Sequence, residues 1–105
     1  MIIRGGENIS PKEVEDYLNT HPDVLDSQVV GVPDDRLGEQ VVVFIRLKEN
    51  ASTLTHADLK AFCKGHLAHY KVPRFVRIVD EFPKTVSGKI QKFKLRDSFV
   101  REKND

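Results

Sequence analysis

Tryptophan is absent from this chain, and cysteine and methionine occur once each. A single thiol, Cys63, excludes an intrachain disulfide and suits a reducing compartment, so the expected location is the cytoplasm or an organelle interior. Net charge is nearly absent too. Seventeen Lys and Arg against 16 Asp and Glu leave +1, too little to attract nucleic acid or an anionic membrane in bulk. No apolar run approaches the roughly 20 residues that cross a bilayer, so no transmembrane segment is expected. The opening "MIIRGGEN" lacks a signal-peptide pattern. His66 and His69 are three residues apart, with Cys63 one turn earlier, but no carboxylate or further thiol completes a metal set. No metal site is expected.

What is present describes one domain, residues 1–105, with an ordinary globular balance of 39% hydrophobic and 31% charged residues. "MII" opens like a strand, and "RGGEN" reads as a turn or tight hairpin, because paired glycines permit positive φ. Ser10-Pro11-Lys12-Glu13 is a helix start: Ser10 at the N-cap, Pro11 at the first position, Glu13 as reciprocal capping-box partner. Val14, Tyr17, Leu18 and His21 continue at helical spacing until Pro22. Residues 24–32 and 40–47 read as strands joined through Pro33-Asp34-Asp35 and Gly38. The second, "QVVVFIRL", is apolar on both faces and so reads as a central strand covered on two sides. Thr55 can cap a second helix running to about residue 69, with Leu59, Phe62, Cys63 and Leu67 as its buried stripe. A strand over 74–79, a loop over 81–89 and a helix over about 91–102, with Phe93, Leu95, Phe99 and Val100 apolar, complete the chain. The order predicts an α+β fold: a small, mainly antiparallel sheet of about three strands plus an N-terminal hairpin, packed with three helices in two layers.

Among residues able to carry chemistry, Lys89 stands out, because it follows Ser87-Gly88 on a flexible loop. An ammonium there can offset negative charge on carboxylate or phosphate oxygens. The string is not a P-loop: Pro83 stands where the first glycine belongs, and Ile90 replaces the Mg²⁺-binding hydroxyl. Residues 84–103 carry Lys84, Lys89, Lys92, Lys94, Arg96, Arg101 and Lys103 against Asp97 and Glu102, which reads as a solvated basic face. Cys63, in an apolar stripe beside Phe62, reads as an inert core thiol.

Four segments in order carry a resemblance: "IIRGGENISPKEVE" (2–15), "VVGVPDDRLGE" (29–39), "HYKVPRFVRIVDEFPKT" (69–85) and "SGKIQKFKLR" (87–96). The chain resembles the small C-terminal domain of the adenylate-forming acyl- and aryl-CoA synthetases, whose relatives include peptide-synthetase adenylation domains and firefly-type luciferases. The resemblance implies a large N-terminal domain as partner, and ATP, Mg²⁺, a carboxylic acid and coenzyme A as the whole enzyme's substrates and cofactor, with none held by this domain alone. It implies a domain that swings between two poses, one forming acyl-AMP and the other the acyl-CoA thioester, and that is inactive in isolation. The "RGGENISP" segment is more similar to acyl-CoA ligases, so a fatty-acid-type substrate is implied.

By the same resemblance Lys89 is the adenylation lysine, and Thr85, Ser87 and Gly88 form the loop presenting it. Gly5, Gly6 and Glu7 match the loop lining the pantetheine tunnel. Lys64, Lys71 and Arg74 are candidates for the phosphates of coenzyme A, and Glu39 takes a structural role. The family's hinge residue would fall just upstream of Met1. Gln91 departs from the Arg or Lys that many members carry two places after the motif lysine. Two other readings stay open at this point. One is an adenylation-domain fragment of a peptide-synthetase-like system with a carrier protein in place of coenzyme A. The other is a non-enzymatic phosphate- or nucleic-acid-binding module using the basic end.

Overall fold

The computed structural model describes residues 1–104. Strands β1 (Ile2–Arg4) and β2 (Glu7–Ile9) form a hairpin; helix α1 (Pro11–Leu18), strands β3 (Val24–Asp34) and β4 (Gly38–Leu47), helix α2 (His56–Cys63), strand β5 (Phe75–Ile78) and helix α3 (Lys92–Asn104) follow. All five strands share one sheet. β4 is its centre: β3 pairs antiparallel along one edge, while β1 at Gly38 and β5 from Val42 to Ile45 share the other. Only β5 runs parallel to its neighbour. The α+β class and the mainly antiparallel sheet hold, with the hairpin an integral part of a five-stranded sheet.

The layering differs from the expected two. Alternate residues of β4 point to opposite faces, and both faces carry a core. Val41, Val43 and Ile45 pack with Val14, Leu18, Leu59 and Cys63 of α1 and α2. Val42 and Phe44 pack with Phe82, Leu95 and Phe99. The helices thus divide between the faces, two against one, and the sheet is a middle layer.

Local chemistry explains the helix ends. Ser10 Oγ accepts the Glu13 N–H at 3.3 Å and Pro11 occupies the first turn, as expected. The reciprocal half of that capping box is not made. Glu13 reaches instead to Lys71, whose Nζ lies 2.9 Å from its carboxylate. The complete box is at α2, where Thr55 Oγ1 accepts from Asp58 N (3.1 Å) and Asp58 Oδ2 accepts from Thr55 N (2.9 Å). α2 stops at Cys63 rather than residue 69, because Lys64 leaves the helical region and Gly65 turns left-handed at φ +83°. A 3₁₀ turn, His69–Lys71, then leads to β5. On α3 Leu95 and Phe99 are buried four residues apart, while Phe93 is exposed. Two positions from Leu95 lies the far side of a helix, so Phe93 cannot join that face.

Candidate functional site

The loop carrying Lys89 is a closed structure. Lys84 and Ile90 form an antiparallel bridge, and Gln91 N donates to Pro83 O. Inside it Thr85 N donates to Lys89 O (2.8 Å), and Gly88 N to Thr85 O (2.9 Å). The Thr85 hydroxyl accepts the Lys89 N–H at 3.1 Å and lies 3.0 Å from Ser87 Oγ. Gly88 sits at φ +90°, a conformation that L side chains resist, and this places Lys89 past the bend. The flanks are anchored, since Phe82 is buried and Ile90 packs on the same Phe44–Phe99 core. The Lys89 side chain is exposed and makes no ion pair among the described residues. Thr85, Ser87, Gly88 and Lys89 therefore form one unit with a free cation at its rim.

Gly5 and Gly6 form the two-residue turn of the β1–β2 hairpin, at φ +57° and +84° between paired Arg4 and Glu7. Positive φ at both central residues is what a tight hairpin of the native twist requires. Space around Gly6 is open, with no atom within 4 Å of where a Cβ would lie. Gly5, Gly6 and Glu7 are all exposed. The turn is held to the start of β4, where Gly5 N donates to Leu37 O at 2.8 Å.

A cationic groove continues from this hairpin. β1 leaves β4 near Gly38 and β5 joins only at Val42, so a notch opens between them, lined by Arg4, Gln40, Lys60, His69 and Arg74. Arg4 Nε donates to the buried Gln40 Oε1 at 3.0 Å, which fixes the guanidinium at the floor. Beside it a groove of about 570 Å³ runs along α2, with Ala61, Leu67 and Val72 as apolar walls and Lys60 and Lys64 on its rim. The structure brings Lys64 and Arg74 to this surface. Lys71 is committed elsewhere: the Glu13 carboxylate holds it and raises its ammonium pKa. Arg4, Lys60 and His69 escaped sequence reading as members of this surface, since they lie up to 65 residues apart and share no motif. The i, i+4 spacing of Lys60, on α2, and Lys64, at its C-cap, was the one available signal.

The basic end of the chain is not a uniformly solvated face. Lys92 Nζ lies 2.6 Å from Glu15 Oε2 and 3.1 Å from Val29 O, and Arg96 Nε donates to Gly31 O at 3.0 Å. Glu15 also accepts the Val29 N–H at 2.8 Å. These side chains satisfy the free edge of β3, which would otherwise offer unpaired backbone groups. Lys103 lies over the rings of Phe75 and Phe99. Three of the seven basic groups are thus structural, which removes most of the case for a polyanion-binding helix.

Cys63 is fully buried, and burial pushes its thiol pKa up, away from nucleophilic use. Among the described residues no three His, Cys, Asp or Glu side chains come together to hold a metal ion. No helix among them is long and apolar enough to cross a membrane.

Comparison with known proteins agrees with this geometry. The family model for the AMP-binding enzyme C-terminal domain matches residues 13–89. Medium-chain acyl-CoA ligase ACSF2, mitochondrial, of Bos taurus is 57% identical over 104 residues, covering 99% of this chain and 17% of that protein. The putative acyl-CoA synthetase YngI of Bacillus subtilis (strain 168) is 53% identical over 100 residues, 95% of this chain and 18% of that protein. The chain thus spans about a sixth of the length of the curated relatives it matches. The crystal structure of Brucella canis acyl-CoA synthetase superposes with a TM-score of 0.88 at 38% identity, over 97% of this chain and 19% of that one. A family match over most of the chain and these near-complete alignments agree that the chain belongs to the AMP-binding enzyme C-terminal domain family.

Proposed function

We propose that this chain is the mobile C-terminal domain of an AMP-forming acid–CoA ligase acting on a fatty-type carboxylic acid, medium-chain acids being the class named for its mammalian relatives. It works with a large N-terminal domain, in a reducing compartment such as the cytoplasm or an organelle interior. In the first half-reaction a carboxylate oxygen attacks the α-phosphorus of ATP and pyrophosphate leaves. In the second the thiol of coenzyme A attacks the acyl carbonyl and AMP leaves.

The observation that carries this reading is the Lys89 ammonium on its hydrogen-bonded loop, with no ion-pair partner among the described residues. A cation at that rim offsets repulsion between the carboxylate and the triphosphate as attack begins, without first breaking an ion pair. Thr85, Ser87 and Gly88 hold it there. The Gly5–Gly6–Glu7 segment lines the path of the pantetheine thiol, and the lack of side chains at Gly5 and Gly6 leaves that path clear. Lys64 and Arg74, with Arg4 and Lys60, suit the phosphates of coenzyme A by charge. Among the described residues no three His, Cys, Asp or Glu side chains group to hold Mg²⁺, so that ion would be held by the N-terminal domain.

The test is Lys89→Ala in the full-length enzyme. Acyl-adenylate formation, followed by pyrophosphate exchange, should fall about 10²–10³-fold. Thioester formation from supplied acyl-adenylate and coenzyme A should be nearly unchanged. Equal losses in the two half-reactions would refute the role given to Lys89.

A further inference from the structure

We propose that Glu39 and Gly31 are positioning residues for transfer to coenzyme A: the Glu39 carboxylate, lying over the bare Cα of Gly31, fixes the strand that carries the Gly5–Gly6 turn. The proposal rests on the reading of that turn given above.

Gly31 differs from the other glycines. Five of the six have positive φ, which accounts for them by conformation; Gly31 does not. A Cβ built at Gly31 would meet Glu39 Oε2 at 2.5 Å and Ile2 Cγ1 at 3.1 Å. Gly31 is there because another group approaches closely, and that group is the end of the Glu39 side chain.

Among the described residues the Glu39 carboxylate has one hydrogen-bond partner. Its Oε1 accepts the Ile3 N–H at 2.9 Å, and it forms no ion pair among the described residues. In the β1–β2 hairpin Arg4 and Glu7 flank the two-residue turn and take the hydrogen-bonded pair, so the Ile3 N–H points away from β2, towards β4. β1 meets β4 in a single backbone pair, Arg4 with Gly38. Glu39 therefore supplies with its side chain the next tie that a longer ladder would have made with backbone. Without it the backbone of β1 is tied towards β4 only at Arg4 and Gly5, so that, with Ile2 still seated in the core, the position of the turn and of the Arg4 guanidinium loosens.

The flexible end of Glu39 can swing aside cheaply, so Gly31→Ala should spare the fold and cost the tie. In the full-length enzyme Glu39→Ala and Gly31→Ala should each lower thioester formation from supplied acyl-adenylate about tenfold or more, because small misplacements of a lining loop are expensive. Pyrophosphate exchange should stay within about twofold. Glu39→Gln keeps an oxygen to accept the Ile3 N–H and should recover most of the transfer rate. Gly31→Ala should cost less on top of Glu39→Ala than it does alone, since the severe clash at Gly31 is with Glu39, and Ile2 Cγ1, at 3.1 Å, need give only a few tenths of an ångström. Both half-reactions are read on one preparation, so an unfolded fraction cancels from their ratio. An unchanged ratio in Glu39→Ala, or additive losses in the double variant, would overturn the proposal. A wild-type enzyme unable to form either product would instead overturn the functional reading beneath it.

Discussion

Gly88 offers a way to separate backbone strain from close approach of a ligand. It lies at φ +90° with no atom within 4 Å of a prospective Cβ, so inside this domain the cost of a side chain is conformational and independent of its size. Placing Ala in a left-handed backbone costs about 1–2 kcal/mol. The loop can relieve that strain by giving up the Lys89 N–H bond to Thr85 Oγ1, so the cost appears as loss of the presenting geometry rather than as global unfolding. By the relation of about 1.4 kcal/mol per decade, Gly88→Ala should slow adenylation about five- to thirtyfold. Asn tolerates positive φ better than Ala, although it is larger, and Val tolerates it worst. The expected order of pyrophosphate-exchange rates is Gly88, then Gly88→Asn, Gly88→Ala and Gly88→Val, with thioester formation flat across the series. An order set by size, with Ala faster than Asn, would refute the strain argument. It would mean that substrate or the other domain presses against this backbone.

Other expectations concern stability. Thr55→Ala removes the acceptor for Asp58 N and should lower the unfolding free energy by about 1 kcal/mol in a denaturant titration at neutral pH. Hydrogen bonds from the Thr55 N–H and hydroxyl hold the Asp58 carboxyl below its ordinary 3.8. Its contribution is thus complete above that value and lost as pH falls through the lower folded one, so Asp58→Asn should cost stability at pH 6 and progressively less below about pH 4. Cys63, buried with its thiol pKa raised, should resist iodoacetamide at pH 8 until denaturant is added. Stoichiometric labelling of the folded protein would contradict its placement in the core.

How far the sequence could be read depended on the reach of each signal. The start of α1, the Gly5–Gly6 turn and the doubly buried β4 each follow from a few adjacent residues, and each is where expected. The end of α2 was misjudged because the apolar spacing continues through Leu67, which is partly buried although it has left the helix. Glu13 looked like a capping partner, yet Lys71, 58 residues away, competes for the same carboxylate and wins it. The ties that finish the β3 edge and the lining of the cationic groove are tertiary. Nothing near Lys92 in the chain indicates that Glu15 will meet it. Lys89 and Thr85 were singled out through a motif, while the bond from the Lys89 N–H to the Thr85 hydroxyl needed the folded loop to be seen.

If the proposed function holds, the two faces of the sheet bear on how the domain would serve two half-reactions. Phe82 and Ile90 root the Lys89 loop in the core beneath α3, whereas the groove that continues from the glycine turn runs along α2, whose buried residues belong to the opposite core. Bringing both to one fixed reaction centre by bending the domain would require breaking β4, because Val41 to Ile45 alternate between the cores and every one of them is buried. Close-packed interiors resist that deformation, and displacing one such side chain disturbs both faces together. Under the proposed function the inexpensive motion is a turn of the whole domain, which presents one face and withdraws the other. On this account Lys89 and the glycine turn are alternatives in time, and a crosslink that freezes the domain in one pose should abolish one half-reaction while sparing the other.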